Sequence, residues 1–220
     1  MGLASKIVHS LPRTDIEELT VVALRFDVIS FDVFDTALKR KCGDPAAIFR
    51  IVEEKSKFPD FASKRKSAEK DARQRFKKKT TINNIYSFFP ANNEVKSYLM
   101  SEELTVEREN LVLNPEIFNL YTHLISANKK IIFLSDMYLS EYFIGRILNN
   151  SGYSNRLFLL VSCEIGEEKS NGNLFKIARS KITHRNLDHD SKFLHIGDSI
   201  RSDFIGPHLA GFSAHLIPRY

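Results

Sequence analysis

Four short polar clusters, each closely following a run of apolar residues, carry the side chains that could do chemistry in this chain. Asp32, Asp35 and Thr36 follow the run Phe26 to Phe34, and Ser135 and Asp136 follow Lys130 to Leu134. Glu164, Glu167, Glu168 and Lys169 come after Leu157 to Val161, and Gly197, Asp198, Ser199 and Asp203 after Phe193 to Ile196. Carboxylates that converge repel one another unless a cation stands among them. An all-oxygen set with a lysine and a hydroxyl close by suits Mg²⁺ and a phosphoryl group.

The elements that would position these residues follow from the pattern. The runs named above, with Phe212 to Ile217, have strand length. Helical patterns lie between them at 140–150, 174–181 and 203–210. Strand and helix in alternation predict an α/β fold, a Rossmann-like parallel sheet flanked by helices. Strands buried on both faces read as continuous apolar runs. In such a sheet, ligands sit beyond the carboxyl ends of the strands, where the polar clusters fall. Thr14 to Glu17 reads as a capping box that opens a short first helix.

The stretch between the first two strands is too long for one crossover. It reads as helical at 45–57, 61–78, 82–89 and 94–111, which predicts an inserted all-helical cap subdomain. The expected division is a core of residues 1–39 and 112–220 around a cap of residues 40–111. Residues 64–79 hold nine Lys or Arg against Glu69 and Asp71. This basic insert is read either as a solvated helix face or as a surface for an anionic substrate.

Composition narrows the classes. The 220 residues are 43% hydrophobic and 27% charged, with net charge +5 and 17 phenylalanines. That describes one large globular domain, or a core with an insertion. Two distant cysteines, Cys42 and Cys163, give neither a disulfide framework nor a zinc pattern. The first residues form no apolar leader and no stretch is long enough to span a bilayer, so the expected setting is cytoplasmic. No nucleic acid is expected as a partner. His195 lies inside an apolar run and reads as a core residue, while His184 and His189 read as solvated.

In order and spacing, these segments resemble the four motifs of the haloacid dehalogenase (HAD) superfamily. Asp32 to Thr36 matches an apolar strand ending in D-x-x-x-T, and Ser135 matches the hydroxyl residue of the second motif. Lys169 and Phe175 have the spacing of the third, and Gly197-Asp198 with Asp203 that of the fourth. The resemblance implies that Asp32 is a nucleophile forming a covalent aspartyl intermediate. It implies that Ser135 and Lys169 hold and neutralise the phosphoryl group, with Thr36 and Asp136 beside them as substrate-binding residues. It further implies Mg²⁺ held by Asp32, the backbone carbonyl of Phe34, Asp198 and Asp203, under a helical cap that selects the substrate.

One position departs from the pattern. Phosphatases of this superfamily carry a second aspartate, an acid and base, two places after the nucleophile; here that place is Phe34. Asp35, one place on, would point the other way along an extended strand and reaches the site only if the chain turns there. The departure keeps two alternatives open: a binding or scaffold module without turnover, and cleavage of C–P or C–halogen bonds. The segments around Asp32 and Ser135 also resemble a subgroup of hydrolases joined to glycosyltransferases in polysaccharide biosynthesis. That resemblance implies a phosphorylated small molecule or glycan intermediate as substrate and a glycosyltransferase domain or partner.

Overall fold

The computed structural model describes residues 15–184 and 191–218. Its centre is β1 (Val28–Asp32), buried at every position. β4 (Lys130–Ser135) flanks it on one side and β6 (Phe193–Gly197) on the other, both parallel to it. β5 (Phe158–Val161) and β7 (Ser213–Leu216) form the edges, giving the order β5-β4-β1-β6-β7 with every neighbouring pair parallel. The sheet is therefore the predicted α/β, Rossmann-like one, and continuous apolar runs are its signature because helices cover both faces.

Alternate residues of the strands feed two apolar clusters. Ile29, Phe31, Ile131 and Phe133 pack with α1 (Ile16–Ala23), α6 (Pro115–Ser126) and α7 (Glu141–Asn150). Val28, Ile132, Leu134 and Phe193 pack with Leu174, Phe175, Ala178 and Ile182 of α9 (Asn173–Thr183). A helix layer thus lies on each side, and the carboxyl ends of the strands are left to the loops.

Between β1 and β4 the chain runs through β2 (Leu38–Arg40), then α2 (Pro45–Ser56), α3 (Phe61–Phe76), α4 (Ile82–Ser87) and α5 (Asn93–Asn110), and returns by β3 (Leu111–Leu113). The helical insertion forms as its periodicity predicts. Its stem, the antiparallel pair of β2 and β3, was not expected, and the divisions anticipated at 39/40 and 111/112 fall inside that pair.

Asp15 caps α1, its carboxylate accepting from the Glu17 and Glu18 amides; the box expected from Thr14 lies outside the described residues. Two local expectations are corrected. The loop expected after β5 contains a short helix, α8 (Ser162–Ile165). The helix expected over 203–210 instead begins as a π-turn at Ile200–Ile205 and ends in a short α10 (Gly206–His208). No helix among the described residues is long and apolar enough to cross a membrane.

Candidate active site

The carboxyl ends of β1, β4 and β6 meet the loop after α8 in one cavity of about 500 Å³. Asp32, the last residue of β1, lies at its foot and is only 6% exposed. Lys169 reaches in from the loop, its Nζ 2.5 Å from Asp32 Oδ1 and 2.6 Å from Asp203 Oδ1. Ser135 at the end of β4 and Asp198 just beyond β6 also line the cavity. Phe34 and Asp136 line it too, and both oxygens of Asp136 accept the backbone N–H of Lys169, at 3.0 and 3.1 Å. Asp136 thereby fixes the loop that carries the lysine.

Asp35 is brought to the same wall. Its φ of 61° puts it in the left-handed region, so the chain turns after Phe34 instead of continuing extended. The turn is tied by the Asp35 N–H to the Leu38 carbonyl (2.7 Å) and the Leu38 N–H to the Val33 carbonyl (2.9 Å). Thr36 departs from expectation: it is fully buried, outside the cavity lining, and its hydroxyl finds no partner among the described residues. Its carbonyl accepts from Asn114 Nδ2 at 2.8 Å, which ties it to the residue after β3. Among the acidic residues after β5, Glu164 accepts the Glu141 N–H at the start of α7, and Glu167 pairs with Lys78 at 2.8 Å. Neither lines the cavity. His184 ends α9, while His189 lies outside the described residues.

Electrostatics explain the arrangement. Burial raises the Asp32 carboxyl well above the carboxylate range; Lys169 works against this, while Asp203 and Asp198 add to it. Burial also opposes charge on Lys169, but Asp203 and Asp32 outweigh it and keep the ammonium firmly protonated. Asp203 resists its burial through Lys169 and His195, which hold its carboxyl below the usual range. One oxygen from each of Asp32, Asp198 and Asp203 lies within 4.8 Å of the others, and all three residues are buried. Three such carboxylates with one lysine leave negative charge away from water, and hard oxygen donors at this spacing fit a divalent cation such as Mg²⁺.

Several site residues were missed from sequence. Arg40 of β2 donates Nε and Nη2 to Glu107 Oε1 at 3.0 and 2.7 Å, places Nη1 3.5 Å from Asp35 Oδ2, and covers the Phe34 ring at 4.7 Å. The stem of the insertion is thus wired to the turn after Asp32. Tyr138, three residues after Ser135, donates to Glu103 of α5 at 3.3 Å. That carboxylate is already held by the fully buried Arg65 at 2.7 and 2.8 Å. Arg40 and Glu107, Tyr138 and Glu103, and Arg65 and Glu103 lie 35 to 67 residues apart in the chain, so no local pattern reveals these pairs. His195, read as core, is buried but has Nε2 3.0 Å from Asp203 Oδ1. The signal for it was a histidine inside an otherwise apolar strand.

No family model and no curated protein matches the chain. Solved structures do match, and they share a class of fold: that of the haloacid dehalogenase-like hydrolases. A haloacid dehalogenase-like family hydrolase from Xanthomonas campestris aligns with TM-score 0.61 and 14% identity over 88% of this chain and 82% of its own. YfnB of Bacillus subtilis, assigned to the HAD hydrolases and solved bound to magnesium, aligns with TM-score 0.58 and 19% identity over 85% and 86%. A 2-haloacid dehalogenase from Pseudomonas syringae aligns with TM-score 0.55 and 16% identity over 85% and 84%.

Proposed function

We propose that the chain is a Mg²⁺-dependent hydrolase of phosphate monoesters, acting through Asp32. The observation that carries this reading is the buried Asp32 at the foot of a cavity, with Lys169 Nζ between it and Asp203. An Asp32 oxygen bonds to phosphorus as the ester P–O bond breaks, and the leaving oxygen takes a proton from Asp35. Water then cleaves the aspartyl phosphate, passing a proton back to Asp35, releasing phosphate and restoring the Asp32 carboxylate. Lys169 and the Ser135 hydroxyl oppose the charge that builds on the phosphoryl oxygens. Asp32, Asp198 and Asp203, with the Phe34 carbonyl, would hold Mg²⁺, which supplies Lewis-acid neutralisation of that charge. Asp35 stands in for the acid that Phe34 cannot provide.

The rest of the cavity bears on the leaving group. Beyond the nucleophile, its wall carries Asp35, Asp44, Glu69 and Glu107 against Arg40, whose guanidinium is spent on Glu107 and Asp35. Of residues 64–79 only Glu69 lines it, so the basic run offers this cavity no cation. A neutral polyol or an amino alcohol is the leaving group this wall favours, as in a phosphorylated sugar or glycan intermediate; a second anion is disfavoured. A glycosyltransferase partner and a cytoplasmic setting belong to the same proposal.

Turnover of sugar phosphates, amino-sugar phosphates and bisphosphates, with Asp32→Asn as control, is the test. We expect the first two classes to be hydrolysed faster than the third, a beryllium-fluoride complex or aspartyl adduct at Asp32, and loss of turnover in Asp32→Asn. Full activity of Asp32→Asn would sink the reading. A second reading, a binding module without turnover, is favoured by Phe34 alone; Mg²⁺ binding with no hydrolysis across the panel would establish it.

A further inference from the structure

Two buried polar side chains under the site take no part in the reaction as written above. Ser30 lies two residues before Asp32 on β1 and so shares its face of the sheet. In the parallel register it stands directly beside His195 of β6. Both are fully buried in strands whose other positions are mostly apolar. A serine and an imidazole there cost desolvation unless their hydrogen bonds are complete.

The bonds form one chain. Ser30 Oγ is 2.7 Å from His195 Nδ1, and His195 Nε2 is 3.0 Å from Asp203 Oδ1. The same Oδ1 accepts Lys169 Nζ, which also bonds Asp32. An ionised carboxylate only accepts, so Nε2 carries the hydrogen. On a neutral ring Nδ1 is then bare, and the Ser30 hydroxyl donates to it at 2.7 Å rather than to the Leu194 carbonyl at 3.4 Å. Phe175 sets the ring's tilt, edge-on at 4.8 Å between centroids.

Counting acceptors then separates the two oxygens of Asp203. Among the described residues Oδ1 holds two donors, Lys169 and His195, while Oδ2 accepts only the Ser199 N–H at 2.9 Å. We infer that Ser30 and His195 are positioning residues: Ser30 sets the His195 tautomer, and His195 turns Asp203 so that Oδ1 is committed to Lys169 and Oδ2 alone is offered to a divalent cation. This rests on the metal-dependent reading given above.

The test reads the imidazole and the metal rather than turnover. Nitrogen-15 NMR of His195 in the full chain, with and without Mg²⁺, is paired with calorimetric Mg²⁺ affinity for the wild type, Ser30→Ala, His195→Leu and His195→Gln. We expect the Nε2–H tautomer in the wild type, with a shift of that nitrogen on adding Mg²⁺. Ser30→Ala should mix the tautomers. His195→Leu should weaken Mg²⁺ binding by roughly 10–100-fold, and His195→Gln, which keeps an N–H near Asp203, should recover most of it. An Nδ1–H tautomer in the wild type overturns the inference, as does unchanged Mg²⁺ affinity in both Ser30→Ala and His195→Gln together with unmixed tautomers. Should His195→Leu not fold, those two variants decide the matter. A wild type that binds no Mg²⁺ overturns the metal reading, whereas its tautomer still reports on the Ser30 relay.

Discussion

Asp35 and Phe34 define the most informative pair of substitutions in the site. Acid and base groups typically contribute 10²–10⁴-fold, so Asp35→Asn should lower kcat by about 10²-fold or more. Phe34→Asp places a carboxylate where the Arg40 guanidinium already sits, 4.7 Å from the present ring. It should restore part of that loss in the Asp35→Asn background; a double variant no faster than Asp35→Asn would show that position 34 cannot supply the proton. Gly206 explains a second residue type. A Cβ there would stand 2.1 Å from the Lys169 carbonyl oxygen, so the loop and the last turn touch through the missing side chain. Gly206→Ala should cost roughly 1–3 kcal/mol in urea unfolding, the usual range for overpacking, and displace Lys169 from Asp32. Asp32, Ser135, Lys169 and Asp198 could be read from sequence because each stands at or just beyond the carboxyl end of an apolar run, or in the loop that follows. Arg40 and Glu107 could not, since only folding brings them together.

At the scale of elements, the insertion is held by charge as well as by apolar packing. Arg65 of α3, fully buried, pairs with Glu103 of α5 and Glu69 and faces the rings of Phe49 and Tyr138. Removing one partner of a buried pair strands the other, at about 3–5 kcal/mol. Arg65→Leu should therefore unfold at lower denaturant by about that amount, and Glu103→Leu added to it should recover part. Equal stability of Arg65→Leu and the wild type would show that the pair contributes nothing. The four helices of the insertion were legible because each keeps its period for at least a turn and a half. The stem of β2 and β3 was not: three-residue strands carry too little pattern, and their partners lie about 70 residues away. The π-turn at Ile200–Ile205 escaped for a related reason, because its widened backbone obeys no 3.6-residue period.

In the whole molecule the insertion touches the core at more than one place. Tyr138 accepts the Ile82 N–H at its carbonyl and donates to Glu103, while Lys78 pairs with Glu167 beside the lysine loop. A cation that binds only the folded site stabilises by mass action, about 2.7 kcal/mol at a hundred times its dissociation constant. Thermal unfolding should therefore shift upward with Mg²⁺ and lose that shift in Asp198→Asn. Histidines give the pH dependence. Burial lowers His195 and His215 below their ordinary value of 6.5, with Asp203 and Glu18 opposing it respectively. The unfolded chain binds protons first as pH falls through 6.5, so stability is full above that value and declines below it. His215→Asn should flatten part of this slope in melts from pH 7.5 to 5; an unchanged slope would clear His215 of a role.

The sequence by itself determined the parallel sheet, the helical insertion and four of the residues around Asp32. Strand ends in such a sheet converge by construction, so a polar residue closely following each apolar run has few other places to go. Tertiary structure alone decided that Asp35 turns into the cavity, that Thr36 does not, and that the basic run contributes only Glu69 to the lining. It also made His195, a core residue as read, a partner of Asp203. Those outcomes depend on one left-handed residue and on contacts between distant segments, and neither leaves a mark in local spacing or periodicity.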